Sequence, residues 1–142
     1  MAGIRVIIVD DVQGVRQDLR TLLTLAGDMD IGNPVVVAGE GANGLEAVQL
    51  VQALKPDVVL MDLEMPVMDG YEAAHKIKKL SPAPRVIALT VHGYPEACLK
   101  ASQAGVDELI VKGAPLKIIL EAILRANSPD PSTQAEGSSS KE

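Results

Sequence analysis

Four positions in the sequence combine reactive side chains with one recurring address. Asp10-Asp11, Asp62, Thr90 and Lys112 each follow directly on a short run of aliphatic residues. Side by side, carboxylates repel by about 4 kcal/mol per pair at an effective dielectric near 20. Without a partner, one of them tends to hold a proton. A hard divalent cation relieves that strain, and Mg²⁺ favours one or two carboxylates together with waters and phosphate oxygens. A carboxylate beside such a cation can act as a nucleophile and form an aspartyl phosphate. A lysine and a hydroxyl can then hold the new phosphoryl oxygens. The residue types therefore describe a phosphoryl acceptor with its own metal, provided the fold gathers them.

The aliphatic runs lie at 5–9, 35–38, 57–61, 85–89 and 108–111 and are rich in Val and Ile. Runs without polar alternation are those of parallel strands buried on both faces. Between them the apolar spacing turns helical. Val12, Val15, Leu19, Leu22, Leu23 and Ala26 share a face of the first helix, and Leu45, Val48, Val51 and Leu54 a face of the second. Asn43 and Glu46 stand at capping-box spacing before the second helix. A weaker third helix is expected over 70–80, a fourth over 95–104, and a fifth opening at Pro115. A β-α unit repeated five times predicts an open α/β sheet with helices on both faces. In such a sheet ligands bind beyond the carboxyl ends of the strands, where the strand order reverses.

The segments VIIVDD, VVLMDLEMPVMDG, VIALT and LIVKG, in that order and spacing, resemble the signature segments of the receiver domain of bacterial two-component response regulators. The resemblance spans roughly residues 4 to 126. It implies a flavodoxin-like, doubly wound fold: five parallel strands in the order 2-1-3-4-5, flanked by five helices. It makes Asp62 the phospho-acceptor, with Asp10, Asp11, Asp62 and the backbone carbonyl of Glu64 around Mg²⁺. Thr90 and Lys112 would bind the phosphoryl group. It also implies a sensor histidine kinase as phosphoryl donor, a cytoplasmic location, a switch rather than an enzyme, and room for a homodimer. MDLEMPVMDG and KGA look closest to regulators with a C-terminal helix-turn-helix output domain, so the chain is expected to be either a piece of such a regulator, its DNA-binding domain missing from the C-terminus, or a single-domain receiver.

GEGANG, residues 39–44, spells the glycine fingerprint of dinucleotide sites, with Asp62 about 20 residues on. In the implied strand order it follows an edge strand, away from the switch point. Glu40 would also set an anion where a pyrophosphate must sit. The glycines are expected to serve loop geometry and the entry to the second helix. The chain departs from the family pattern at three positions. Leu109 stands where relatives carry a switching aromatic, bulky Val91 follows Thr90, and Gly113 rather than Pro follows Lys112. Glu64 and His92, each two residues past a site residue, are candidates for tuning phosphoryl lifetime. Cys98 is expected to pack within the fourth helix, and His75 to be solvated. The fourth helix, fifth strand and fifth helix are the expected signalling surface.

A net charge of −6 argues against nonspecific binding of nucleic acid or anionic membrane. A single cysteine excludes an internal disulfide and a cysteine metal cluster. No apolar run approaches the ~18 residues of a membrane span, and no signal peptide is expected before Arg5. The core must be aliphatic, since the only aromatics beyond histidine are Tyr71 and Tyr94. Residues 1–126 form one expected domain. Residues 127–142 hold five Ser and two Pro and are expected to be a disordered tail or linker. Two rival readings stand beside the switch. One is a receiver-like interaction module without phosphorylation. The other is a Mg²⁺-dependent aspartyl-phosphate phosphatase, whose usual general acid would here be Glu64.

Overall fold

A computed structural model describes residues 3–28 and 35–127. The chain alternates β1 (Ile4–Val9), α1 (Gln13–Asp28), β2 (Val35–Gly41), α2 (Gly44–Leu54), β3 (Val58–Asp62) and α3 (Gly70–Ile77). It continues through β4 (Arg85–Thr90), α4 (Pro95–Ala104), β5 (Glu108–Val111) and α5 (Leu116–Leu124) to a 3₁₀ turn at Arg125–Asn127. The strands form one parallel five-stranded sheet in the order β2-β1-β3-β4-β5. The Ser- and Pro-rich segment lies, from residue 128 onward, outside the described residues.

Because side chains alternate across a strand, each buried strand feeds two cores. Val6, Ile8, Val58, Leu60, Ile87, Leu89 and Ile110 face α1 and α5, where they meet Leu19, Leu23, Ile119 and Ile123. Ile7, Val9, Val59, Met61 and Val86 face the other way, toward Ala47 and Val51 of α2 and Ala73, Ala74 and Ile77 of α3. A smaller cluster joins Leu63, Ala88 and Ala101, with Tyr71 and Leu109 packed against it. Ala101 is the one fully buried residue of α4, which agrees with the weak apolar face in its sequence.

Four sequence expectations need correction. β2 runs on through Gly39-Glu40-Gly41, so those glycines belong to the strand and not to a loop. Their lack of a side chain lets α2 approach, since a Cβ at Gly41 would lie 3.1 Å from Leu50 and 3.3 Å from Glu46. The third helix ends at Ile77, where the bonds from Lys79 to Lys76 and from Leu80 to Ile77 tighten into a turn. Pro115 precedes α5 as its cap with extended backbone, and Leu116 is the first helical residue. Cys98 is exposed, because α4 turns little but Ala101 inward. The capping expectation for α2 is met: Glu46 N–H donates to Asn43 Oδ1 at 2.9 Å, and Ala42 N–H to Glu46 Oε1 at 2.7 Å.

The loop from β3 to α3 is held down by two glycines. Gly44 N–H donates to Met68 O at 2.8 Å, and Gly70 N–H to Leu63 O at 2.9 Å. A Cβ on Gly70 would lie 2.3 Å from the backbone oxygen of Asp62. The Gly70→Ala variant is therefore expected to lose about 1–3 kcal/mol of stability through overpacking, read by urea denaturation. A loss within the error of that measurement would mean that the loop does not clamp Asp62.

Candidate functional site

The alternation that builds the two cores also sorts the polar residues. Asp10 and Asp62 continue the rows Val6–Ile8 and Val58–Leu60, and Lys112 continues Ile110, all on the face of α1 and α5. Thr90 continues Val86–Ala88 on the opposite face. Two groups of side chains therefore emerge beyond the carboxyl ends of the strands.

The first group is ionic. Carboxylate oxygens of Asp10, Asp11 and Asp62 lie within 4.8 Å of one another. Lys112 Nζ reaches between two of them, 2.8 Å from Asp10 Oδ2 and 3.3 Å from Asp62 Oδ2. Asp10 is 2% exposed and Asp62 8%, so neither meets its charge in bulk water. The remaining Asp10 oxygen accepts from Val12 N–H at 2.9 Å. Asp10 thus also does the plain work of an acid ahead of a helix, shaping the turn into α1. The remaining Asp62 oxygen accepts from Glu64 N–H at 3.2 Å. Asp11 is exposed, and among the described residues its carboxylate has no hydrogen-bond partner.

Burial raises the pKa of Asp62 above the ordinary carboxylate value. The Glu64 N–H and the Lys112 charge pull it down, the Asp10 charge pushes it up, and the balance stays upward. Burial also works against the charged form of Lys112. The hydrogen bond that Lys112 donates to Asp10 and the charges of Asp62 and Asp10 outweigh it, so its pKa rises. One ammonium thus faces three carboxylates, a set that suits a divalent cation with oxygen ligands. Asp10, Asp11 and Asp62 are the side chains that could hold it.

The second group lies around Thr90. This residue is 2% exposed, and its hydroxyl oxygen accepts from His92 N–H at 3.1 Å. His92 Nδ1 lies 3.2 Å from Glu64 Oε1, so the two candidates for tuning sit against each other at the mouth. Sequence reasoning missed Tyr71, Tyr94 and Lys100, which line a recess with them. No spacing rule marks these residues. Their rarity was the available signal, since the chain has just two tyrosines and no Phe or Trp. The Glu40 carboxylate of GEGANG bonds to Arg16 and Arg20 of α1, and β2 is an edge strand, so the glycine run makes no nucleotide site at the crevice. His75 is exposed on α3.

The model of the response regulator receiver domain matches residues 6–124. The chain belongs to that family. It is 38% identical to the chemotaxis protein CheY of Thermotoga maritima over 85% of this chain and 95% of that one. It is 39% identical to the response regulator VraR of Staphylococcus aureus over 87% of its own length but 56% of VraR, so it spans about half of that relative. Among solved structures, the receiver domain of NarL from Mycobacterium tuberculosis superposes with a TM-score of 0.82 at 30% identity, covering 91% of this chain and all of that one. A LuxR-family DNA-binding response regulator from Staphylococcus aureus gives 0.78 at 30% identity, covering 88% and 99%. The expected strand order and flavodoxin-like architecture of this receiver domain are therefore as observed. No helix among the described residues is long and apolar enough to cross a membrane.

The raised pKa of Asp62 has a consequence for stability. A carboxyl harder to ionise when folded opposes folding once pH exceeds its unfolded value. The cost grows as pH climbs from about 4 through the folded pKa and is constant above it. In metal-free buffer, Asp62→Asn is expected to be more stable than wild type near neutral pH. That advantage should shrink as pH falls through the window. Denaturation curves of both proteins from pH 3 to 8 (about the range that brackets carboxyl titration) provide the check. A difference that does not change with pH would refute the assignment.

Proposed function

We propose that this receiver domain accepts a phosphoryl group on Asp62, in a reaction that needs Mg²⁺, and that a sensor histidine kinase supplies it. The observation that carries the proposal is the position of Lys112 Nζ, in contact with both Asp10 and Asp62 beside the exposed Asp11. Mg²⁺, held by Asp10, Asp11, Asp62 and the Glu64 carbonyl, would screen the incoming phosphoryl oxygens from the surrounding carboxylates. The chain's own residues do the rest. Asp62 presents its oxygen from the end of a rigid, fully buried strand. Lys112 is fixed by Asp10, so its charge stays in place when Asp62 changes from carboxylate to acyl phosphate. Thr90 brings a hydroxyl from the adjacent strand end, where it can bond a phosphoryl oxygen. The acyl phosphate would carry roughly −1.5 to −2 charges, by analogy with hydroxyl phosphates, in place of the single carboxylate charge, and Thr90 and Lys112 are the groups placed to answer it.

The signal would leave through α4, β5 and α5. Leu99, Val111 and Ile118, one on each element, are exposed apolar side chains. Leu109 is packed against the cluster of Leu63, Ala88 and Ala101 instead of offering a ring to swing. The response would then start from α4, the least buried helix, since poorly packed elements rearrange most readily. The likeness to a LuxR-family DNA-binding response regulator supports a role for this domain in a cytoplasmic, DNA-binding regulator, and the exposed apolar face leaves a surface for a homodimer.

Incubation with Mg²⁺ and acetyl phosphate or phosphoramidate, followed by intact mass measurement, tests the reading. The expected result is one phosphoryl adduct that disappears in Asp62→Asn or with a chelator. An unmodified wild type would leave an interaction module. Rapid multiple turnover of phosphomonoesters would instead make the domain a hydrolase.

A further inference from the structure

Asp11 is held differently from its two neighbours in the acidic group. It is exposed, and among the described residues no hydrogen bond fixes its carboxylate. That carboxylate nonetheless offers an oxygen within 4.8 Å of those of Asp10 and Asp62. With the side chain untethered, the backbone decides where the oxygen lies. The Asp10–Asp11 peptide is planar, so whatever holds the Asp10 carbonyl also orients the step to Asp11. Two residues of the GEGANG stretch act on Asp10 from either side. Gly41 O accepts from Asp10 N–H at 3.0 Å. Asp10 O accepts from Arg16 Nη1 at 2.6 Å, and Arg16 Nε donates to Glu40 Oε1 at 3.3 Å. Arg20 bonds the second Glu40 oxygen and, among the described residues, makes no bond to Asp10. The Arg16 and Glu40 side chains are 17% and 25% exposed. An ion pair that only joined α1 to β2 would need no contact with Asp10, and exposed pairs of that kind contribute little to stability. The rigid fork of arginine suits the other task, since it can grip a carboxylate and a carbonyl at once.

We propose that Arg16, braced by Glu40, is a positioning residue for the metal site: it fixes the Asp10–Asp11 peptide so that the Asp11 carboxylate stays beside those of Asp10 and Asp62. The proposal rests on the reading of these three acids as Mg²⁺ ligands. It gives the glutamate of GEGANG a task at the acidic group, reached through an arginine of α1. Charge and position make opposite demands here. A guanidinium near the site repels a cation, so by charge alone the loss of Arg16 tightens Mg²⁺ binding. By position, the same loss lets the Asp11 backbone drift and weakens binding. The sign of the change therefore separates the two.

The test is a Mg²⁺ titration of the ¹⁵N-labelled full chain, with Kd read from the amide shifts of Asp11, Asp62 and Glu64. Arg16→Met is expected to raise Kd about tenfold, the lower end of the loss that follows removal of a partner behind a metal ligand. Arg16→Lys keeps the charge but cannot span both the Asp10 carbonyl and Glu40, so its Kd should fall between wild type and Arg16→Met. Arg20→Met removes an equal charge from Glu40 and spares Asp10, and it should not raise Kd. The metal-free amide spectra show which variants are folded. Should Arg16→Met fail to fold, Arg16→Lys against Arg20→Met carries the comparison. A Kd unchanged or lowered in both Arg16 variants, with wild type binding, overturns the positioning role and leaves the metal site standing. A rise in Arg20→Met equal to that in Arg16→Met overturns it as well. No Mg²⁺-dependent shift at Asp11 or Asp62 in wild type overturns the metal reading, and this proposal with it.

Discussion

Three carboxylates at one corner of a sheet can coexist in a folded protein when positive charge stands among them, and Lys112 provides that charge. Its ammonium touches Asp10 and Asp62, and the two acids come from the ends of neighbouring strands. Two nearly buried carboxylates share one ammonium, and burial, above any neighbouring charge, raises the pKa of Asp62. Removing the lysine would leave both acids buried without a cationic partner, a costlier state than an exposed unpaired acid. The site is therefore kept in tension by design of the fold. It is stable enough to form and still short of positive charge, which favours a divalent cation with oxygen ligands.

The strands make this possible because their period of two reaches past their last hydrogen bond. The rows that bury Ile8, Leu60 and Ile110 against α1 and α5 also deliver Asp10, Asp62 and Lys112 to one side. Thr90 comes out on the other side, next to Tyr71, His92 and Tyr94. The ionic group and the aromatic recess thus lie on opposite faces at one end of the sheet, linked through Glu64, whose N–H bonds Asp62 and whose carboxylate bonds His92. The loop between β3 and α3 closes the arrangement, and its fit depends on Gly44 and Gly70, where a side chain would strike backbone.

Much of this was legible in the sequence, for a physical reason. Strands buried on both faces leave unbroken Val and Ile runs, and a charged residue after such a run has few explanations other than a site. The spacing of Asp10, Asp62 and Lys112 was therefore informative, and the structure brings them together. What stayed hidden follows from weak local signals. Gly39-Glu40-Gly41 reads as a loop because glycine and glutamate disfavour strands. It is strand because β1 pairs with it and the Glu40 charge is met by Arg16 and Arg20 of α1. Cys98 looked like a packing residue by type, yet α4 has almost no buried face to place it on. The contact of His92 with Glu64 joins two loops far apart in sequence, and no periodicity could announce it.

Manganese relaxation in NMR probes the central claim most directly, since Mn²⁺ shares the preference of Mg²⁺ for oxygen ligands and broadens signals near its site. On ¹⁵N-labelled protein, the account predicts that the amides of Asp10, Asp11, Asp62 and Glu64 disappear first, at the lowest Mn²⁺ additions, and that Mg²⁺ restores them. Early broadening centred instead on acids at the opposite end of the sheet, such as Asp57 and Asp107, with the signals of Asp11 and Asp62 intact, would contradict it.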